Sequence, residues 1–392
     1  MNRREFLVSG TAAAATLTAR SYANISGAND RVGLGVIGAG RRGTQVSEGF
    51  LADPRVRIVG VCDVYDAHTA KFVSQLPHTS SQPFTCFAYP DLLARKDVDA
   101  VLISTPDHLH VTIATAALAA GKNVYMEKPT LHHWNERAAL LEAEEKYGKI
   151  VQCGMQQRSG SHYFRAKQEI FTPKKLGKVV FARAVWHNFP WQCRNIINQP
   201  KPAGLHWTLF EGPAPHVPYQ TIRYSSWRYF PDYGNGLLAD IMTHWVDVAQ
   251  WMLDDSSPRN AASLGGIYEL HDGRQNPDTV SALVQYDTWN FNFESSVLSI
   301  PNRQPTVFFE GTDGTLDLGR EGYTFTPHEG EPVRVTSTES LEKAHTRNFL
   351  DAVILGKPVN APIRAGIEAS IPVQMSLRSY WSHAIVPRKE LT

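Results

Sequence analysis

Val32-Gly33-Leu34-Gly35-Val36-Ile37-Gly38-Ala39-Gly40-Arg41-Arg42-Gly43 opens the ordered reading of this chain. Its first half is apolar residues and glycine, the pattern of a strand buried on both faces. Its second half is GxGxxG, with Gly38, Gly40 and Gly43 at the key positions. Such a triplet is weak evidence by itself. Here it follows a strand and leads into a helix predicted from about Gly43, the context a dinucleotide-binding turn requires. Glycine permits the tight turn and lets backbone N–H groups approach a pyrophosphate at the positive end of the helix. Arg41 and Arg42 are expected to flank the pyrophosphate or face solvent, and either could reach a 2′-phosphate.

Outward from there, Val56 to Cys62 is a second β-branched run, and Asp63 stands at its end, twenty residues past Gly43. A carboxylate at that point accepts both ribose hydroxyls of the adenosine half and repels a 2′-phosphate. The expected cofactor is therefore NAD, with NADP kept open by the two arginines. Helical character over Asp66–Leu76 is followed by a strand at Asp99–Ser104 and an Ala-rich helix at Val111–Ala120 stopped by Gly121. A short strand at Asn123–Met126 and a helix at Trp134–Tyr147, stopped by Gly148, complete the set. Strands alternating with helices predict an α/β fold, a Rossmann doubly wound parallel sheet over residues 31–152.

Beyond about residue 152 the rhythm changes. An aromatic, Pro-rich stretch from Trp186 to Gly234 precedes a helix at about 238–253. Strand-like runs follow at Ser281–Tyr286, Asn290–Leu298, Thr306–Glu310 and Thr315–Leu318. They predict a second α/β domain over 153–392 with a largely antiparallel open sheet. Helices at about 340–355 and 364–382 are expected to pack back on the body.

Length and composition set limits. The 392 residues suit two domains. With 42% hydrophobic residues, 20% charged residues and a net charge of +1, nothing favours nucleic acid or an anionic membrane as partner. The N-terminus, residues 1–30, reads as a twin-arginine export signal and linker: Arg3-Arg4 precede a mild apolar run from Val8 to Leu17, and Ser21-Tyr22-Ala23 offers small residues for cleavage. That run is too short for a membrane span, which takes about 20 apolar residues. The expected localisation is periplasmic or otherwise exported. Cys62, Cys86, Cys153 and Cys193 lack metal spacing, and no obligatory disulfide is expected.

Two further stretches carry chemistry. Ser104-Thr105-Pro106-Asp107-His108-Leu109-His110 follows a strand, as does Glu127-Lys128-Pro129, and both fall at the carboxyl edge of the parallel sheet, where ligands bind. Thr105, Pro106, His110, Glu127 and Lys128 are thus expected beside the cofactor, with His110 touching nicotinamide or substrate. A lysine there can donate to a substrate oxygen as a carbonyl forms. His108 and His110 have no accompanying cluster, so no metal is expected; His132 and His133 read as surface residues.

The second stretch is Gly234-Asn235-Gly236-Leu237-Leu238-Ala239-Asp240-Ile241-Met242-Thr243-His244-Trp245-Val246-Asp247. Asp240, His244 and Asp247 share one helix face, beside an apolar stripe of Ile241, Trp245, Val248 and Met252. Spacing alone leaves open whether the polar stripe is solvated or functional. Trp186, Trp191, Trp207, Trp227, Tyr229, Phe230 and Tyr233 form either a platform for sugar rings or core. Trp227 and Tyr233 are the substrate candidates among them, and Gln156, Gln157 and Arg158 are weaker ones.

Taken together, GxGxxG, TPxHLH, EKP and GxxxDxxxHxxD make the chain resemble the glucose–fructose oxidoreductase, inositol dehydrogenase and related (Gfo/Idh/MocA) family over nearly its whole length. The resemblance implies His244 as acid/base and Asp240 as substrate-binding or relay residue. Lys128 would steady the substrate oxygen. It implies a sugar, sugar-derivative or cyclitol substrate and a homodimer or homotetramer formed through the open sheet. The family also includes NAD-dependent glycosidases that oxidise, eliminate, hydrate and re-reduce. That is the alternative activity, and it would need a further base, for which Tyr233 and His187 are the sequence's only suggestions.

Overall fold

The computed structural model describes residues 31–77, 82–187, 196–298 and 305–391. The proposed export signal, Trp191 and Cys193 lie outside the described residues. Strands β1 (Val32–Ile37), β2 (Val56–Cys62), β3 (Phe84–Cys86), β4 (Ala100–Ile103), β5 (Asn123–Met126) and β6 (Val151–Cys153) form one parallel sheet in the order β3-β2-β1-β4-β5-β6. Helices of ten or more residues are labelled, beginning with α1 (Arg41–Leu51), α2 (Asp66–Gln75), α3 (His110–Ala119) and α4 (Arg137–Tyr147). The strand order reverses between β1 and β4, and the crevice outside their carboxyl ends is the ligand position of a doubly wound sheet. The loops carrying the GxGxxG, TPDHLH and EKP motifs all emerge at that edge.

Both faces of this sheet are covered, which is why its strands read as continuous apolar runs. On one face Ile37, Val101, Ile103, Val124 and Met126 pack with Ile113, Ala117 and Leu140 of α3 and α4. On the other, Phe50 of α1 meets Tyr125 edge-on at 5.4 Å and Phe349 at 5.9 Å. Phe349 belongs to a helix near the C-terminus, so the end of the chain returns to the first sheet.

The second sheet has nine strands: β7 (Val179–Trp186), β8 (Asn260–Gly266), β9 (Thr279–Gln285), β10 (Asn290–Ser296), β11 (Thr306–Gly311), β12 (Gly314–Gly319), β13 (Gly322–Pro327), β14 (Val333–Thr336) and β15 (Val386–Pro387). Their order is β14-β13-β12-β11-β7-β10-β9-β8-β15. Only β7 and β10 pair in parallel. One face is apolar: Ala182, Ala184, Val280, Val284, Phe291, Phe293, Val307 and Phe309 are buried there. Burying each phenylalanine contributes roughly 1.5–3 kcal/mol. Helix α5 (Thr243–Leu253) lies between β7 and β8, and α6 (Leu341–Leu355) and α7 (Ile363–Ser382) between β14 and β15; α5 lays Trp245, Val248 and Met252 into the same apolar cluster. On the alternating positions, Leu264 and Leu283 are exposed.

A π-turn at Leu238–Met242 runs directly into α5. The stripe of Asp240, His244 and Asp247 is buried, which decides against a solvated face. His132 also departs from expectation. It is buried, not on the surface, because Asn235 Nδ2 donates to its backbone oxygen at 2.9 Å and holds it beneath the second domain. Among the described residues, no helix is long and apolar enough to cross a membrane.

Candidate active site

The glycine-rich turn requires its glycines by contact. Gly38 has φ +92°, and a Cβ on Gly43 would fall 1.9 Å from the Gly38 oxygen. Gly40 is the N-cap of α1 and has no side chain to satisfy the helix's first N–H groups. A Cβ on Gly40 would meet nothing nearer than the His68 ring at 4.0 Å, so open space lies before that helix end. Asp63 is fixed at the rim: its two oxygens accept from the N–H of Ala39 at 2.7 Å and of Tyr65 at 2.9 Å. An uncapped helix end, room for an anion and a positioned carboxylate fit the pyrophosphate and adenosine ribose of NAD.

Arg41 is exposed, but Arg42 does not face that space. It pairs with Glu127 at 2.7 Å and Glu342 at 2.9 Å, locking the start of α1 to the end of β5 and to α6. Burial pulls the guanidinium's pKa down, yet the two carboxylates outweigh it and the net shift is upward. The expectation that Arg42 and Glu127 reach the cofactor is corrected accordingly: they hold each other, because each would otherwise be a partly buried lone charge. His110 is corrected too. Its ring nitrogens lie 2.8 Å from the Pro129 oxygen and 3.0 Å from the Thr105 oxygen; burial favours the neutral ring, whose one N–H donates to one of these carbonyls, and both nitrogens are turned toward backbone. Thr105 keeps a buried hydroxyl with no partner among the described residues, and Pro106 is half-buried beside it.

The two halves of the chain meet at Lys128. Its Nζ donates to the Asp240 backbone oxygen at 2.8 Å and ion-pairs with the Asp240 carboxylate. The second Asp240 oxygen is buried without a hydrogen bond, and Arg228 Nε lies 3.6 Å from it. Four residues along the chain, His244 is buried, and its Nδ1 has no hydrogen-bond partner among the described residues. Its pKa is held well below the ordinary value, first by burial and then by the positive charges of Lys128, Arg320 and Arg42. The imidazole is therefore neutral at pH 7 and able to take a proton.

Sequence reasoning passed over Asp107 and Arg320. Asp107 is buried, and its carboxyl is pushed up to about 8 by burial and by the Asp240 charge. Arg320, at the β12–β13 turn, lies over Trp186 and Trp245. Asp107 fills the variable position of the TPxHLH stretch and Arg320 lies in no motif, so neither residue type signals the site in the sequence.

Other substrate candidates separate. Gln157 is buried with its amide nitrogen unpartnered among the described residues. Arg158 is not available: its Nε sits 2.9 Å from both oxygens of Asp247, a buried pair that also accounts for Asp247. Trp227 supports the Arg228 guanidinium 4.1 Å above its ring. Tyr233 is fully buried against His108 at 5.2 Å and Phe210 at 5.3 Å, so it is core, as are Trp207, Tyr229 and Phe230. Burial raises the Tyr233 pKa, which argues against it as a base. Among the described residues no cluster of His, Cys, Asp or Glu could hold a metal.

A six-stranded Rossmann sheet with an uncapped glycine turn, joined to an open-sheet domain that supplies a neutral histidine, defines a two-domain dinucleotide-binding protein. The chain belongs to the Gfo/Idh/MocA family: residues 32–155 match its profile described as "Oxidoreductase family, NAD-binding Rossmann fold", and residues 164–317 match its C-terminal domain. Among curated relatives, the uncharacterized oxidoreductase YrbE of Bacillus subtilis is 29% identical over 149 residues, 36% of this chain and 42% of that protein. A glycosyl hydrolase family 109 protein of Solibacter usitatus is 35% identical over 124 residues, 30% of this chain and 28% of that one. The matches thus span less than half the length of either relative. Levoglucosan dehydrogenase, solved with NADH and levoglucosan, shares the fold with a TM-score of 0.71 at 17% identity, over 91% of this chain and 99% of that one. The WlbA dehydrogenase of Bordetella pertussis, solved with NADH and UDP-GlcNAcA, gives 0.72 at 14% identity, over 91% and 97%.

Proposed function

We propose that the protein reversibly oxidises a secondary hydroxyl of a sugar, sugar derivative or cyclitol. The observation that carries this is the meeting of Lys128 with Asp240, one helical turn before a neutral His244. NAD, when bound, supplies the hydride acceptor. His244 takes the hydroxyl proton as the carbon gives up its hydride, so the alcohol loses one proton and two electrons with the second hydrogen and becomes a ketone. Lys128 donates to the substrate oxygen and stabilises the charge that develops there. Asp240 uses its second oxygen, which makes no hydrogen bond and has Arg228 Nε at 3.6 Å, to orient the substrate, and Lys128 holds that carboxylate in place. Asp63 favours NAD over NADP.

Reduction of NAD by a panel of sugars and cyclitols tests the reading. Lys128→Met and His244→Asn are each expected to lower kcat by about 10²–10⁴-fold while NAD still binds. Unchanged turnover in both variants would remove the basis of the proposal.

A second reading, hydrolysis of a glycoside through transient oxidation, is favoured by the family 109 relatives. Release of an aryl leaving group with no lasting NADH signal would select it over net oxidation. We further propose export by the twin-arginine route as a folded protein carrying its cofactor, and assembly into a homodimer or homotetramer through the exposed face of the nine-stranded sheet. Replacing Arg3 and Arg4 with lysine should trap the protein in the cytoplasm, and light scattering reads the assembly.

A further inference from the structure

Among the described residues, Arg320 is the cation of this site that makes no ion pair. Arg42 is paired with Glu127 and Glu342, Lys128 with Asp240, and Arg158 with Asp247. Arg228 lies 3.6 Å from the remaining Asp240 oxygen. Among the described residues Arg320 has neither hydrogen bond nor ion pair; its contacts are two indole faces, Trp186 at 5.2 Å and Trp245 at 5.9 Å. Trp245 is the residue after His244, and the Arg320 charge reaches the His244 imidazole. The turn between β12 and β13 thus brings a guanidinium beside the helix that carries His244, with no ion pair to it among the described residues.

Stacking on aromatic faces accounts for the flat of a guanidinium and not for its edge. Five N–H donors lie in that edge, in a fork that matches a carboxylate. The side chain is half-buried, so the flat of the guanidinium is covered by the indoles while its edge stays open to a ligand. Burial holds the Arg320 pKa below the ordinary arginine value, and Tyr163, Glu342 and Asp240 do not offset it. One unanswered positive charge calls for one negative charge. A phosphate dianion would leave a negative surplus against His244 and Asp240. A carboxylate balances the site.

We propose that Arg320 binds a carboxylate on the substrate, so that the substrate is a sugar acid of the uronate or aldonate class. The inference rests on the proposed oxidation of a sugar or cyclitol and narrows it. Trp186 and Trp245 keep the guanidinium flat and directed, and the hydroxyl to be oxidised lies on the ring between Arg320 and the Lys128–His244 pair.

The test compares matched ligands on the NAD-loaded full-length protein: glucuronate with glucose, galacturonate with galactose, and the corresponding 6-phosphates. Calorimetric binding and kcat/KM are read for wild type, Arg320→Met and Arg320→Lys. At least one uronate should bind about tenfold or more tightly than its neutral partner, the worth of one charged hydrogen-bonded contact. Arg320→Met should collapse that ratio mainly through KM, and Arg320→Lys should restore part of it. Equal losses for acid and neutral sugar would make Arg320 a structural brace and overturn the proposal. Preference for the 6-phosphates, or no binding of any uronate, would overturn it as well. Turnover of neutral sugars without an Arg320-dependent preference defeats this inference alone. Uronate binding with no NAD reduction by any sugar supports the carboxylate site and defeats the dehydrogenase reading.

Discussion

His244 is neutral because burial and three nearby cations all disfavour its charged form. A base works only unprotonated, and its pKa is displaced downward, so activity should persist as pH falls through 6.5, histidine's ordinary value. The acid limb of kcat/KM is expected below that point, and a limb centred at or above 6.5 would contradict the burial argument. At Gly43 the constraint is steric. Gly43→Ala drives a methyl group into the Gly38 carbonyl 1.9 Å away, displacing the turn. A loss of about 1–3 kcal/mol in stability, together with weakened NAD binding, is expected from denaturant titration and fluorescence quenching. Lys128, Asp240, His244 and Asp63 were legible because they sit in local motifs. Arg42 and Arg158 were misread because their partners are remote: Glu342 lies 300 residues from Arg42, and Asp247 lies 89 from Arg158. A charge near a motif looks free until the fold supplies its counter-ion.

Elements are joined at this site by buried polar pairs. Arg42 ties α1, the end of β5 and α6 together. Arg42→Met leaves Glu127 and Glu342 facing each other without the cation, at a cost of about 3–5 kcal/mol. Adding Glu127→Gln should recover a large part of that, and a double-mutant cycle by urea unfolding measures the coupling. Strict additivity would show that the clamp does not exist. A second lock joins α6 to the loop after β6: His345 contacts the Cys153 oxygen at 2.8 Å and the Ser159 hydroxyl at 2.6 Å. Burial pushes its pKa down to about 4. The unfolded chain therefore takes a proton near pH 6.5 while the folded one does not until about pH 4. Its contribution is complete above 6.5 and is lost as pH falls toward 4, by about 1.4 kcal/mol per unit. The stability gap between wild type and His345→Gln should narrow across that window; a constant gap would refute the lock. The strands of the parallel sheet were legible because burial on both faces makes them apolar throughout: Val32–Ile37, Val56–Cys62 and Asn123–Met126 are observed where they were expected. In the second sheet β7, β8, β13, β14 and the two-residue β15 escaped notice. One face of that sheet is uncovered, so Arg183 in β7 and Thr324 in β13 interrupt the apolar signal, and in β8 the buried Ser263 and two glycines do the same.

At the scale of the whole molecule, the first domain contributes a glycine turn, an acidic rim and an ammonium, and the second contributes an imidazole, a carboxylate and a guanidinium. Neither half holds the chemistry alone. Lys128 and Asp240 are 112 residues apart in sequence yet hydrogen-bonded. That closeness is what the account of function depends on. A crystal structure of the protein with NAD tests it most directly. The account predicts the reactive C4 of the nicotinamide facing one cavity, with room for a substrate carbon at about 3–3.5 Å from it and with Lys128 Nζ and the His244 imidazole both on that cavity's wall. A nicotinamide ring turned away from either side chain, or bound with protein filling the space between, would contradict it.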